Sequence, residues 1–249
     1  MFTDIIDFLK HPYYKESVFS LSGYALRKFF QSCLFFVIAA AIVALLLALL
    51  DYAIVHYTHY HSIKKDLLDS DSFNEKLRQN IVNVIIIFTI APLCEELAFR
   101  LPLIPKKEYW LLGAVIILYF SFGGKYTSLS AFQNGYRLMF FCLSILTVVA
   151  LFFIIKEEKL ISFINSHYFA YFYFVCITFG LIHIFNARDS FQWNIFYLYP
   201  LFVIPQMIMG VIMGYLRNTE HFIYGLLFHM LFNFISSIPF LLFFYRNSA

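Results

Sequence analysis

Residues 29–50 run from Phe29 to Leu50 without one charged side chain. No other feature constrains the fold as much, because about 20 consecutive apolar residues match the hydrocarbon thickness of a bilayer. In lipid the backbone N–H and C=O groups have no water to bond, so such a run satisfies them internally, as a helix. Six further apolar runs follow, at 81–104, 110–122, 138–155, 168–186, 195–216 and 222–245. Pro200 and Pro205 interrupt the sixth, and Pro239 falls late in the seventh. Hydrophobic residues make up 61% of the 249 and charged residues 13%, against about 45–50% and about 25% in soluble domains. The expectation is an all-α, polytopic transmembrane bundle of about seven spans, multi-pass in the cell membrane, with membrane lipid as its first partner. The runs lack the ten-residue alternation of a β-barrel.

Two parts are expected. Residues 1–79 begin with a short interfacial segment, in which Phe2, Ile5, Ile6, Phe8 and Leu9 alternate with Asp4, Asp7 and Lys10. The first span and a polar loop at 58–79 follow, the loop carrying Lys64, Lys65, Asp66, Asp69, Asp71, Glu75, Lys76 and Arg78. Residues 80–249 hold the other spans. The net charge of +3 is spread along the chain, which gives no nucleic-acid footprint. Cys33, Cys94, Cys142 and Cys176 sit in apolar runs without zinc or redox spacing, so they read as packing residues. Lys and Arg divide 10 to 8 between the two sides, which tilts the positive-inside rule toward a cytoplasmic N terminus.

The informative residues are the polar ones inside the apolar runs. Glu95 and Glu96 close a stretch whose only other polar residues are Asn83 and Thr89. Each carboxylate at such depth costs roughly 2.5–3.5 kcal/mol, and adjacent like charges repel. Arg100 lies one turn after Glu96, at ion-pair spacing. His183 lies in the fifth run, with Asn186 three residues later. His229 lies in the seventh, with Asn233 one turn on and on the same face. Each piece alone has a plain structural explanation: a pair at a helix end, an interfacial histidine, an asparagine joining helices. Two glutamates, two histidines and two asparagines on three apolar helices are easiest to satisfy as one cluster.

In order, Glu95-Glu96-x-x-x-Arg100, Phe179-x-x-x-His183 and His229-x-x-x-Asn233 resemble the three motifs of the CPBP family, the CAAX-processing and bacteriocin-processing (Abi-like) intramembrane endopeptidases. The resemblance covers residues 80–245, and Pro92, Phe99, Asn186, Gly210 and Gly214 agree with it. It implies cleavage of peptide or protein substrates, of the CAAX or peptide-leader kind. It also implies that Glu95, with His183, activates water and that His229 and Asn233 donate to the oxyanion. Glu96 would be held by Arg100, with Asn186 and Phe179 in support. Glu95, His183 and His229 also resemble a His₂Glu zinc set in residue type. No His-x-x-x-His lies on one helix, so zinc would need three helices, which weighs against a tightly bound ion.

Two departures stand out. Leu101-Pro102 follows Arg100 where the family usually has glycine, and residues 109–156 insert two spans between the first and second motifs. These spans carry no intramembrane acidic residue or histidine, so they should pack outside the cluster, as a wall or docking surface. The site would then be built from spans 2, 5, 6 and 7, with Pro205, Gly210 and Gly214 allowing close approach. Two other classes fit an intramembrane Glu–His set: a non-proteolytic membrane partner or immunity protein, and an ion-coupled transporter. A complete motif set argues against the first, and the lack of internal repeats against the second.

Overall fold

The structure, a computed structural model, describes residues 2–15, 19–68, 81–121, 135–187 and 190–248. Every regular element among them is helical. In chain order these are α1 (Thr3–Lys10), α2 (Gly23–Tyr57), α3 (Ile63–Leu68), α4 (Ile81–Phe88), α5 (Ile90–Phe99), α6 (Lys107–Ser121), α7 (Gly135–Ile154), α8 (Glu157–Ser166), α9 (Tyr168–Ile182), α10 (Tyr199–Phe202), α11 (Ile204–Thr219) and α12 (Phe222–Ser248). Short 3-10 turns occupy Leu101–Leu103, His183–Ala187 and Trp193–Leu198.

Three helical stretches are long and apolar enough to cross a membrane: Gly23–Tyr57, Tyr168–Ala187 and Trp193–Thr219. A fourth results if α7 and α8, bent by 91° at Ile155-Lys156, count as one. The runs at 81–104 and 110–122 form shorter helices, and the run at 222–245 lies in α12. The run at 81–104, expected as one continuous span, is two helices broken at Thr89. Pro92 explains the break: it has no N–H to offer the Phe88 carbonyl, and its ring crowds that group. The Thr89 hydroxyl turns back to donate to the Ile85 carbonyl, at 2.6 Å. The interruptions expected at Pro200 and Pro205 are present, each proline in the first turn of a new helix. Helix α8 was not anticipated from the sequence.

Helix α11 is the hub, packed between α9, α12 and α2. Close approach there needs glycine. A Cβ at Gly214 would sit 2.7 Å from the Phe172 ring, and one at Gly210 would sit 3.0 Å from the Cys176 carbonyl oxygen. Helix α1 is amphipathic, but the protein covers part of its apolar face: Ile5 and Phe8 are buried, and Phe8 packs edge-on against Phe172 and Tyr215, both at 5.2 Å. Around α2 the large side chains face outward, among them Phe30, Ile42, Leu45 and Leu49. Of the polar loop expected at 58–79, α3 is described. Asp69, Asp71, Glu75, Lys76 and Arg78 lie outside the described residues, as do Gly123-Gly124 and Lys125.

Candidate active site

Helix α5 carries Glu95, Glu96 and, as its C-cap, Arg100. It stops there because Leu101 precedes a proline, which disfavours further α-helix. The chain continues as a 3-10 turn whose carbonyls are taken by two tyrosines of α9. Tyr171 donates to Pro102 O at 2.8 Å and Tyr168 to Leu103 O at 3.1 Å. Asn218 Nδ2 in turn donates to the Tyr168 oxygen at 2.7 Å. Where the resemblance would place glycine, this chain therefore has a proline turn held by side chains of α9 and α11.

Glu96, Arg100 and His229 are all buried. His229 lies between the two glutamates. Its Nδ1 is 3.1 Å from Glu96 Oε1, and its Nε2 is 3.5 Å from Glu95 Oε2. Arg100 Nε reaches Glu96 Oε1 at 3.9 Å, and its guanidinium lies 4.4 Å over the Phe179 ring. That ring also meets His229 and His183 edge-on, at 5.8 and 5.0 Å. Gly210 leaves room for the guanidinium, since a Cβ there would stand 3.1 Å from an Arg100 nitrogen. Glu96 Oε2 and the three Arg100 nitrogens are buried without a hydrogen bond.

His183 caps α9 and begins the 3-10 turn. Its Nδ1–H donates to the Phe179 carbonyl at 2.9 Å, which leaves Nε2 with a free lone pair. In a 3-10 turn, residues three apart eclipse. His183 and Asn186 therefore share one face and line a cavity of about 660 Å³ with Glu95, whereas Ala187, three residues after Ile184, is fully buried in a separate apolar cluster with Ile63. The other cavity walls come from α5 (Cys94, Ala98, Phe99) and α6 (Ile116, Ile117, Phe120, Ser121).

The structure thus gathers Glu95, Glu96, Arg100, His229 and Phe179 in one contact network, and joins Glu95, Phe179, His183 and Asn186 in one cavity lining. His229 and Asn233 do not line that cavity. The first inserted helix, α6, serves as a wall and brings no ionisable group to it. Among the described residues no group of three His, Cys, Asp or Glu side chains could hold a metal ion. Glu95, His183 and His229 are among the side chains that form no such group.

Sequence reasoning missed a second polar cluster at the end of α2. Asp51 accepts from Ser62 Oγ at 2.6 Å and from the Lys64 amide at 3.1 Å, which caps α3. Asp66 Oδ2 accepts from Tyr199 Oη at 2.9 Å and Gln192 Nε2 at 2.8 Å, and its Oδ1 lies 3.1 Å from His61 Nε2. Its one sequence signal is an acid beside Leu67 and Leu68 in a polar loop. No family model matches this chain, and no curated protein or solved structure is significantly similar to it.

Proposed function

We propose that this chain is a multi-pass membrane protein of about seven spans that acts as an intramembrane endopeptidase. Membrane residence is supported by the outward-facing apolar side chains of α2 and by the stretches long enough to cross. In this reading α4 and α5 together cross once, despite the break at Thr89. The observation that carries the catalytic reading is the convergence of Glu95 with Glu96, His229 and Arg100, while Glu95 shares a cavity with His183.

Glu95 takes a proton from a water in the cavity, and that water's oxygen adds to the scissile carbonyl carbon. The same proton then passes to the leaving amine as the C–N bond breaks. His183, with Nδ1 fixed on the Phe179 carbonyl, offers Nε2 to orient the water. Arg100 and His229 hold Glu96, and Glu95 is the carboxylate of the pair that lines the cavity. His229 Nε2 makes its weaker contact with Glu95. The oxyanion role that the resemblance gives to His229 and Asn233 finds no support in the cavity, whose lining holds neither.

The test is cleavage of a peptide library by the purified protein in lipid vesicles, with and without a chelator. Cleavage that survives the chelator and disappears in His183→Ala is expected. Failure of the wild-type protein to cut any peptide would remove the endopeptidase reading in favour of a non-proteolytic membrane partner.

A further inference from the structure

The cavity beside Glu95 has an uneven chemistry. Glu95 and His183 mark its polar part, with Asn186 and Ser121 at its edge. Phe99, Ile116, Ile117, Phe120, Ile182 and Phe185 make the rest apolar. Among the described residues no lysine or arginine lines it, and Arg100 is turned into the protein against Phe179. Its volume of about 660 Å³ lies within the roughly 300–1,000 Å³ typical of ligand sites. A carboxylate in the cavity wall disfavours acidic side chains, and apolar walls leave a buried polar side chain without partners. An uncharged, bulky apolar side chain is what complements both.

Helix α6, from the two-span insertion between the first two motifs, supplies one wall of the cavity. Gly113 brings α6 against α5, where a Cβ would stand 2.8 Å from the Ala98 carbonyl oxygen. Ile116 and Ile117 one turn later, and Phe120 two turns later, reach the cavity. Ile116 also packs on the central core, whereas Ile117 is 37% exposed. Ile117 is therefore free to set the cavity's size without holding the fold together.

We infer that this cavity binds a bulky apolar side chain of a peptide substrate, next to the bond that is cut, and that Ile117 of α6 sets the size accepted. The inference rests on the endopeptidase reading only for the position of the cut bond. An apolar pocket discriminates one methylene by roughly 10–200-fold, so changes at Ile117 should be measurable.

Two measurements test it in lipid vesicles. The first is kcat/KM over peptides that differ only beside the cut bond. Leu, Met and Phe should exceed Ala, and Asp and Glu should be cut worst. Ile117→Ala should shift the optimum toward larger side chains and Ile117→Trp toward smaller ones, each by about tenfold in the ratio of large to small. An unchanged preference in both variants overturns the assignment while leaving the protease reading intact.

The second measurement needs no cleavage. In a Cys33→Ser/Cys142→Ser background, with Cys176 buried, the cavity residue Cys94 is the accessible thiol. Its alkylation should be slowed by a Leu- or Phe-bearing peptide with a non-hydrolysable bond, but not by the Asp counterpart. Protection without cleavage of any peptide would sink the protease reading and keep the apolar site. Equal protection by both peptides, or by neither, overturns the site.

Discussion

Asp66 and Glu96 are both buried carboxylates, yet their surroundings differ in kind. Asp66 accepts from a tyrosine hydroxyl and a glutamine amide, and an imidazole lies 3.1 Å from its other oxygen. The same glutamine pairs with both backbone groups of His61, and the Tyr199 oxygen accepts from the Gln192 amide. Glu96 has one close donor, His229, and an arginine at 3.9 Å. Its second oxygen and all of Arg100's nitrogens are buried without hydrogen bonds. A native fold saturates nearly all its buried polar groups, and the exceptions call for an explanation. The saturated cluster does what polar clusters in folds usually do: it ties α3 to the segment that carries Tyr199. The undersaturated one leaves buried polar atoms of Glu96 and Arg100 without hydrogen bonds, so it is not explained by tying helices together.

The largest expected effect breaks the comparison at the undersaturated side. Glu95→Ala should lower turnover by about 10²–10⁴-fold, the usual contribution of a positioned base, while the melting temperature in detergent stays level or rises. A variant that unfolds while the folded remainder still turns over normally would make Glu95 structural, as Asp66 is. Next comes Arg100→Met, which strands Glu96 in an apolar interior and should cost about 3–5 kcal/mol. Adding Glu96→Gln should recover most of that loss, because the partner's charge goes too. Thermal unfolding across the four combinations measures the coupling, and strictly additive losses would show that the 3.9 Å contact carries no interaction.

The two clusters were unequally legible in the sequence. Glu95, Glu96, Arg100 and His229 stood out because charged or imidazole side chains inside apolar helices need each other's company, and the structure brings them into contact. Asp66 gave no such signal. It lies in a polar loop, where an acid costs nothing, and its partners Gln192 and Tyr199 are 126 and 133 residues away. Helical character was readable from the apolar runs, as were the interruptions at Pro200 and Pro205. The break at Thr89 was not anticipated, although Pro92 was in view. It follows from the carbonyl that Pro92 cannot serve, a local effect that hydropathy does not register. The α6 wall was readable only as a lack of charge, since Ile116, Ile117 and Phe120 look the same facing a cavity as facing lipid.

On the saturated side the effect should be smaller and of the opposite character. Asp66→Asn presents an amide N–H₂ to donors that need an acceptor, so about 1–3 kcal/mol of stability should be lost. Turnover per folded molecule should be retained, because no atom of this cluster lines the cavity. Denaturant midpoints and active-site-normalised rates separate the two quantities. A fall in rate greater than the fall in folded fraction would mean that α3, which packs on the His183–Ala187 turn, transmits strain to His183.

The smallest effect distinguishes the donors around Asp66 from one another. His61 is 64% exposed at its side chain, whereas Asp66 is 4%. A partner so open to water exchanges one hydrogen bond for another when it is lost, and exposed pairs are worth about 0.2–1 kcal/mol. Tyr199 and Gln192 remain on Asp66 Oδ2, while Oδ1, which faced His61, becomes open to solvent. His61→Ala should therefore shift the unfolding midpoint by no more than that range, and Tyr199→Phe should shift it further, since the phenol hydroxyl is a buried donor to Asp66. If the order were reversed, the exposed imidazole would be the true anchor of Asp66. The contrast between a saturated cluster and an undersaturated one would then rest on a single pair at the surface.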